Sequence, residues 1–186
     1  MSTEIELKAH IYDSETLRLL LMEKAEYLGA FEKEDSYWYP QLEGAQDLLP
    51  YGLRIRKEKC TSSDGEISVI ATYKKKEILD GLEINNEREF KVTSASDFEG
   101  FLNLAGMAPK KGKRKRGWAF SYKGITAELT EVESLGWFIE LEIITDNKKP
   151  ETLAESRKQL LEFLEDLGIE RKAIESRSYL QMLHAL

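Results

Sequence analysis

The chain reads as an α+β domain dominated by antiparallel strands. Two observations predict this. Apolar and polar residues alternate over short runs from Glu4-Ile5-Glu6-Leu7-Lys8 near the start to Ile139-Glu140-Leu141-Glu142 near the end. Apolar residues fall at helical spacing in only a few stretches, each bounded by capping or breaking residues.

The first strand spans about residues 3–11. Asp13 or Ser14 can cap a helix that carries Leu17, Leu20, Leu21, Ala25 and Leu28 and stops near Gly29. An aromatic strand, Asp35 to Tyr39, ends at Pro40. A loop through Pro50 leads to Leu53-Arg54-Ile55-Arg56. Ser62 to Gly65 turns the chain into a strand over 66–75, and another spans about 83–92. Ser96 with Glu99 reads as a capping box for a short helix ended near Gly106. A basic segment, Lys110 to Arg116, runs into the strand Trp118–Tyr122. Lys123-Gly124 makes a two-residue hairpin loop and Ile125 to Val132 returns. Gly136 precedes a strand over 137–144. Thr152 with Glu155 forms a second capping box, for a helix ended at Gly168, and a last helical piece holds Tyr179, Leu180 and Leu183. No repeat, linker or low-complexity tract interrupts residues 1–186, so one domain is expected.

Bulk properties narrow the function classes. A net charge of −7 argues against general nucleic-acid affinity and leaves an anionic ligand in need of a local basic site. The single cysteine, Cys60, excludes an intramolecular disulfide and a cysteine-based zinc site, and two histidines leave few imidazole ligands. No signal pattern and no long apolar run is present, so a cytoplasmic protein away from membranes is the expectation.

The strand faces carry the chemistry. Side chains alternate across a strand, so Glu4, Glu6 and Lys8 share one face and Ile5 and Leu7 the other. Carboxylates two residues apart lie about 7 Å from each other, a spacing suited to a hard cation. The same arithmetic groups Arg54 with Arg56, Thr72 with Lys74, Asn85 with Glu87 and Glu89, Glu128 with Thr130, and Glu140 with Glu142. Counting back from the Lys123-Gly124 loop puts Lys113 and Lys115 on the face of Glu128 and Thr130; a bulge at Gly117 would present Arg114 and Arg116 instead. If the helices cover the apolar faces, the charged faces meet in water or in a closed interior. A closed interior holding both signs is costly without a ligand, and a polyphosphate with divalent metals would satisfy both. As isolated strands, each of these faces also reads as an ordinary solvated surface.

The ordered set resembles the CYTH superfamily of class IV adenylate cyclases and thiamine triphosphatases. The resemblance spans nearly the whole chain: E-x-E-x-K at Glu4, Glu6 and Lys8; D-x-Y at Asp35 and Tyr37; L-R-x-R at Leu53 to Arg56; T-Y-K at Thr72 to Lys74; E-x-E at Glu87 and Glu89; and Leu135 to Glu142. Ser178-Tyr179-Leu180 with Leu183 is similar to the tail of the class IV cyclase branch. The resemblance implies a triphosphate tunnel, an antiparallel eight-stranded closed barrel with helices outside. It implies Mg²⁺ or Mn²⁺ on Glu4, Glu6, Glu140 and Glu142. Phosphates would meet Lys8, Arg54, Arg56, Lys74, Lys113 and Lys115, with Glu87, Glu89, Glu128 and Thr130 also lining the bore. The family often has an aspartate where Thr130 stands and an arginine where Asn85 stands. The implied partner is a small-molecule triphosphate, converted to cyclic AMP and pyrophosphate or hydrolysed, or held by a binding module without turnover. A homodimer is among the assemblies open to such a domain.

Overall fold

The computed structural model describes residues 3–41, 51–61, 66–79, 82–147 and 149–186. In chain order it contains β1 (Thr3–Ile11), α1 (Ser14–Lys24), β2 (Glu26–Pro40), β3 (Tyr51–Cys60), β4 (Ile67–Leu79) and β5 (Leu82–Lys91). It continues through α2 (Ala95–Leu104), β6 (Met107–Tyr122), β7 (Ile125–Val132), β8 (Gly136–Thr145), α3 (Pro150–Asp166) and α4 (Tyr179–His184). The expected turn over Ser62–Gly65 lies outside the described residues.

Every strand pairs antiparallel, in the order β1-β5-β4-β3-β2-β6-β7-β8, and β8 returns to β1. The closure is uneven. β1 meets β8 over Thr3–Ile11, whereas it meets β5 only over Thr3–Glu6. Beyond that seam the edge of β1 is taken by the C-terminal segment: Ala9 bridges Ile174, and the Glu175 amide donates to the Lys8 carbonyl at 2.8 Å. The expected antiparallel eight-stranded closed barrel is therefore met in part, as a curled antiparallel sheet whose last seam narrows and is flanked by a further extended piece.

Several local expectations are corrected. α1 stops at Lys24, and Leu28 and Gly29 already belong to β2, so the apolar spacing that suggested a longer helix is shared with a strand. Asp13 is the cap, accepting from the Thr16 amide. α2 is capped by Ser94 rather than Ser96, since Ser94 accepts from the Asp97 amide. α3 starts at Pro150 after an uncapped Lys149; proline's fixed φ takes the place of the Thr152 capping box. A capping box does occur at α4, between Ser178 and Gln181. Lys123 and Gly124 both take positive φ, as a two-residue hairpin loop requires, and pair Tyr122 with Ile125.

The main core lies outside the ring. Ile5, Leu7 and Ala9 of β1 join Ala127 and Leu129 of β7 and Ile139 and Leu141 of β8 beneath Leu17 and Leu21 of α1 and Leu160, Phe163 and Leu164 of α3. A smaller cluster sets Leu102 of α2 over Ile55 and Trp38. With one face of the sheet committed to these helices, period-two alternation turns the charged face into the ring. Among the described residues no helix is long and apolar enough to cross a membrane.

Candidate functional site

The interior is assembled strand by strand. From β3 come Arg54, Arg56 and Glu58; from β6, Lys113 and Lys115; from β1, Glu4, Glu6 and Lys8; from β7, Glu128 and Thr130; from β8, Glu140 and Glu142. The register sets Glu6 beside Glu142, Lys8 beside Glu140, and Glu140 beside Glu128. Glu89 stands across from Thr72. Lys74 and Glu87 pair with each other in the ladder, but their side chains lie outside the described residues.

No register slip occurs at Gly117, so the lysines and not the arginines point inward. Arg114 and Arg116 are exposed and pair with Glu34 and Glu131 on the outer face. Gly117 is needed for a different reason: a Cβ there would sit 2.0 Å from the Leu129 carbonyl oxygen. The slip in β6 falls earlier, between the pairs Asp35–Lys113 and Tyr37–Lys110.

Ion networks result. Lys115 Nζ lies 3.0 Å from Glu128 and 3.1 Å from Glu140, and Lys33 Nζ reaches the other Glu128 oxygen at 2.6 Å. Arg56 grips Asp35 through Nε at 2.7 Å and Nη2 at 3.0 Å, and Lys113 Nζ stands 3.4 Å from the same carboxylate. Arg54 donates to Thr72 at 2.9 Å and to Glu89 at 3.2 Å. Tyr179 of α4 joins the interior as well, its hydroxyl donating to Glu140 at 2.5 Å. Its ring centroid lies 4.9 Å from Lys8 Nζ and 4.8 Å from Lys113 Nζ.

These neighbours decide the charge states. Burial raises the Glu128 and Glu140 carboxyls, but Lys115 acting with Lys33 at Glu128, and with Lys113 and the Tyr179 hydroxyl at Glu140, outweighs it, and both stay ionised. Burial lowers the Lys115 ammonium, and Glu128 with Glu140 more than restore it. Lys113 lacks such a pair. Burial pushes it down to about 8; Lys115 and Arg56 add to the drop against the pull of Asp35. Burial and Glu140 hold the Tyr179 hydroxyl well above its ordinary value, so it remains a donor.

Reading the sequence as an aromatic strand starting at Asp35 missed Lys33 and the depth of Asp35. The alternation Phe31, Lys33, Asp35, Tyr37 carries the signal, and it lay in a stretch next to an apparent helix stop. The Thr130 hydroxyl is fully buried and, among the described residues, has no hydrogen-bond partner, and the same holds for both polar atoms of the Asn85 amide.

The four carboxylates expected to hold a metal, Glu4, Glu6, Glu140 and Glu142, offer oxygen ligands only, the chemistry of Mg²⁺ or Mn²⁺ rather than of zinc. Like charges placed directly across the ladder, as Glu6 with Glu142 and Glu140 with Glu128, also favour a cation between them. These residues fit a hard divalent ion in chemistry. Among the described residues no three acidic, histidine or cysteine side chains stand close enough in this conformation to hold one.

The CYTH domain family model matches residues 2–179. The chain belongs to the CYTH family. No curated protein matches it. Among solved structures this CYTH protein is similar to PH1819 from Pyrococcus horikoshii OT3, with 28% identity, 98% of each chain covered and a TM-score of 0.84. It shares its fold with a Vibrio parahaemolyticus protein provisionally assigned as an adenylate cyclase, at 17% identity, 97% of each chain covered and a TM-score of 0.81. It also shares it with HpAC1 of Hippeastrum, a provisional adenylyl cyclase described as having a dominant triphosphatase activity. There the identity is 18%, the coverage 100% of this chain and 96% of the other, and the TM-score 0.68.

Proposed function

We propose that this CYTH protein is a metal-dependent enzyme acting on a nucleoside or organic triphosphate, with conversion of ATP to cyclic AMP and pyrophosphate as the leading reaction. One observation carries the reading: buried or half-buried cations from β1, β2, β3 and β6 share a single interior with carboxylates from β7 and β8. Such an interior is expensive unless a ligand of mixed charge enters it.

In this reading Arg54, Arg56, Lys8, Lys74, Lys113 and Lys115 orient the phosphate oxygens, and the arginine forks fix the chain's direction. Glu4, Glu6, Glu140 and Glu142 would hold Mg²⁺ or Mn²⁺. The ion supplies charge neutralisation at the phosphates and a lowered pKa for an attacking hydroxyl. Lys115, which bridges Glu128 and Glu140, would turn from these carboxylates to phosphate when the interior fills. Tyr179 supports the cyclase branch, because the tail motif that resembles it contributes a hydroxyl to Glu140.

The second reading is a triphosphatase, in which water attacks the terminal phosphorus. The described activity of the Hippeastrum relative favours it. The purified protein incubated with ATP, thiamine triphosphate or inorganic triphosphate, each with Mg²⁺ or Mn²⁺, separates the cases. Cyclic AMP with pyrophosphate supports the cyclase, orthophosphate the triphosphatase, and tight binding without product a non-catalytic module.

A further inference from the structure

Asp35 is the odd member of the basic wall. Its side chain is 1% exposed, yet it carries negative charge into the part of the interior where a triphosphate would need positive charge. A wall built only to attract an anion would do better without it.

Its geometry gives it another use. In the ladder Asp35 lies between Arg56 on β3 and Lys113 on β6, so one carboxylate joins cations from two different strands. Its two oxygens take Nε and Nη2 of Arg56 at 2.7 and 3.0 Å, and one of them lies 3.4 Å from Lys113 Nζ. This edge-on grip fixes the plane of the guanidinium and leaves Nη1 outside the pair. The backbone supplies an independent observation. Gly112 passes so close to β2 that a Cβ would stand 2.3 Å from the Asp35 carbonyl oxygen. The irregularity that sets where Lys113 enters the interior is thus moulded against Asp35 itself.

We infer that Asp35 is a positioning residue for triphosphate recognition: it clamps Arg56 and Lys113 in one arrangement so that their remaining donors meet phosphate oxygens together. The inference rests on reading Arg56 and Lys113 as phosphate ligands. Asp35 itself does not touch the ligand. Burial raises its carboxyl, but Arg56 and Lys113 hold it well below the usual range, so the clamp stays charged.

A clamp and a mere counter-charge predict opposite signs. Removing a counter-charge, by Asp35→Asn, leaves the interior more positive and tightens anion binding. Removing a clamp frees the guanidinium, and affinity falls because its order must then be imposed on binding. Asp35→Glu sharpens the contrast: it keeps the charge and moves the carboxylate by one methylene.

The test is calorimetric titration with tripolyphosphate at a pH below the Lys113 transition. It uses wild type, Asp35→Asn, Asp35→Glu, Arg56→Ala and the Asp35→Asn/Arg56→Ala double variant, with thermal unfolding of each. Asp35→Asn is expected to bind about tenfold more weakly, the scale of one lost charge-assisted hydrogen bond. Asp35→Glu should weaken binding in the same direction, and most of the Asp35→Asn effect should vanish in the Arg56→Ala background. Unchanged or tighter binding by Asp35→Asn, beside weakened Arg56→Ala, overturns the inference and leaves the basic wall standing. If Asp35→Asn does not fold, wild-type affinity in folded Asp35→Glu overturns it equally. Wild-type affinity in Arg56→Ala would instead overturn the reading of the wall.

Discussion

Single side chains in this interior are set by what lies across the ladder, and two of them make sharp predictions. Glu6 stands beside Glu142, on the face that the apolar core does not use. Glu6→Gln removes a charged oxygen ligand without touching that core, so metal-dependent turnover should be abolished while the unfolding transition is retained. Full activity of the variant at limiting metal would show that the β1 carboxylates are not ligands. Lys113 predicts a pH dependence. Its folded value of about 8 lies below the ordinary 10.5, so between them the unfolded chain binds more protons and stability rises with pH. Tripolyphosphate favours the charged amine, beside Asp35, Lys115, Arg56 and Glu140. Binding near pH 8 should therefore take up protons, and affinity should fall as pH rises through that value. Calorimetry in buffers of different ionisation heats measures the uptake; its absence would take Lys113 out of the phosphate site.

At the level of elements, β6 is the strand on which the site depends. It carries the inner lysines Lys113 and Lys115, absorbs a register slip near Gly112 and lies against β7 at Gly117. Lys115 and Lys113 point inward only because the ladder from Tyr122 back to Lys115 runs without a slip. Gly117→Ala would drive a Cβ into the Leu129 carbonyl, a backbone atom that cannot swing aside. The expected cost is about 1–3 kcal/mol of stability, read by urea unfolding, as for other overpacking changes. Triphosphate affinity should fall with it, because relief of the clash moves the strand bearing Lys115. A stable variant with unaltered binding would show that β6 tolerates displacement at this point.

Over the whole molecule, the scaffold and the site occupy opposite faces of one sheet. The helices α1 and α3 seal the outer face of β1, β7 and β8, while the charged network fills the ring. Mutations in the two should therefore separate. Leu160→Ala empties a fully buried position on α3 and should cost about 2–5 kcal/mol of stability in thermal or chemical unfolding. Below its lowered melting point it should bind tripolyphosphate as wild type does. A large loss of affinity at a temperature where the variant is fully folded would mean that core packing and the interior are coupled. The C-terminal segment belongs to both halves of this division. It pins β1 through Ala9 and Lys8, and it delivers Tyr179 to Glu140.

The sequence by itself determined the faces. Period two is a property of extended backbone, so Glu4 with Glu6, Arg54 with Arg56, and Glu140 with Glu142 had to share a side wherever the strands ran. It determined the Lys123-Gly124 loop, where Gly124 takes positive φ without steric cost, but it left the inward residues of β6 open between Lys113 with Lys115 and Arg114 with Arg116, a choice made by the unslipped ladder at Gly117. Only the tertiary structure decided that β2 runs from Glu26, that the ring closes unevenly at β1, and that Lys33, Asp35 and Tyr179 enter the interior. These depend on partners far apart in the chain: Lys33 meets Glu128 across 95 positions, and Tyr179 meets Glu140 across 39. Local alternation tells which way a side chain points, but the partner that neutralises a buried charge is chosen by strand order and register. Both emerge only when the whole sheet has curled.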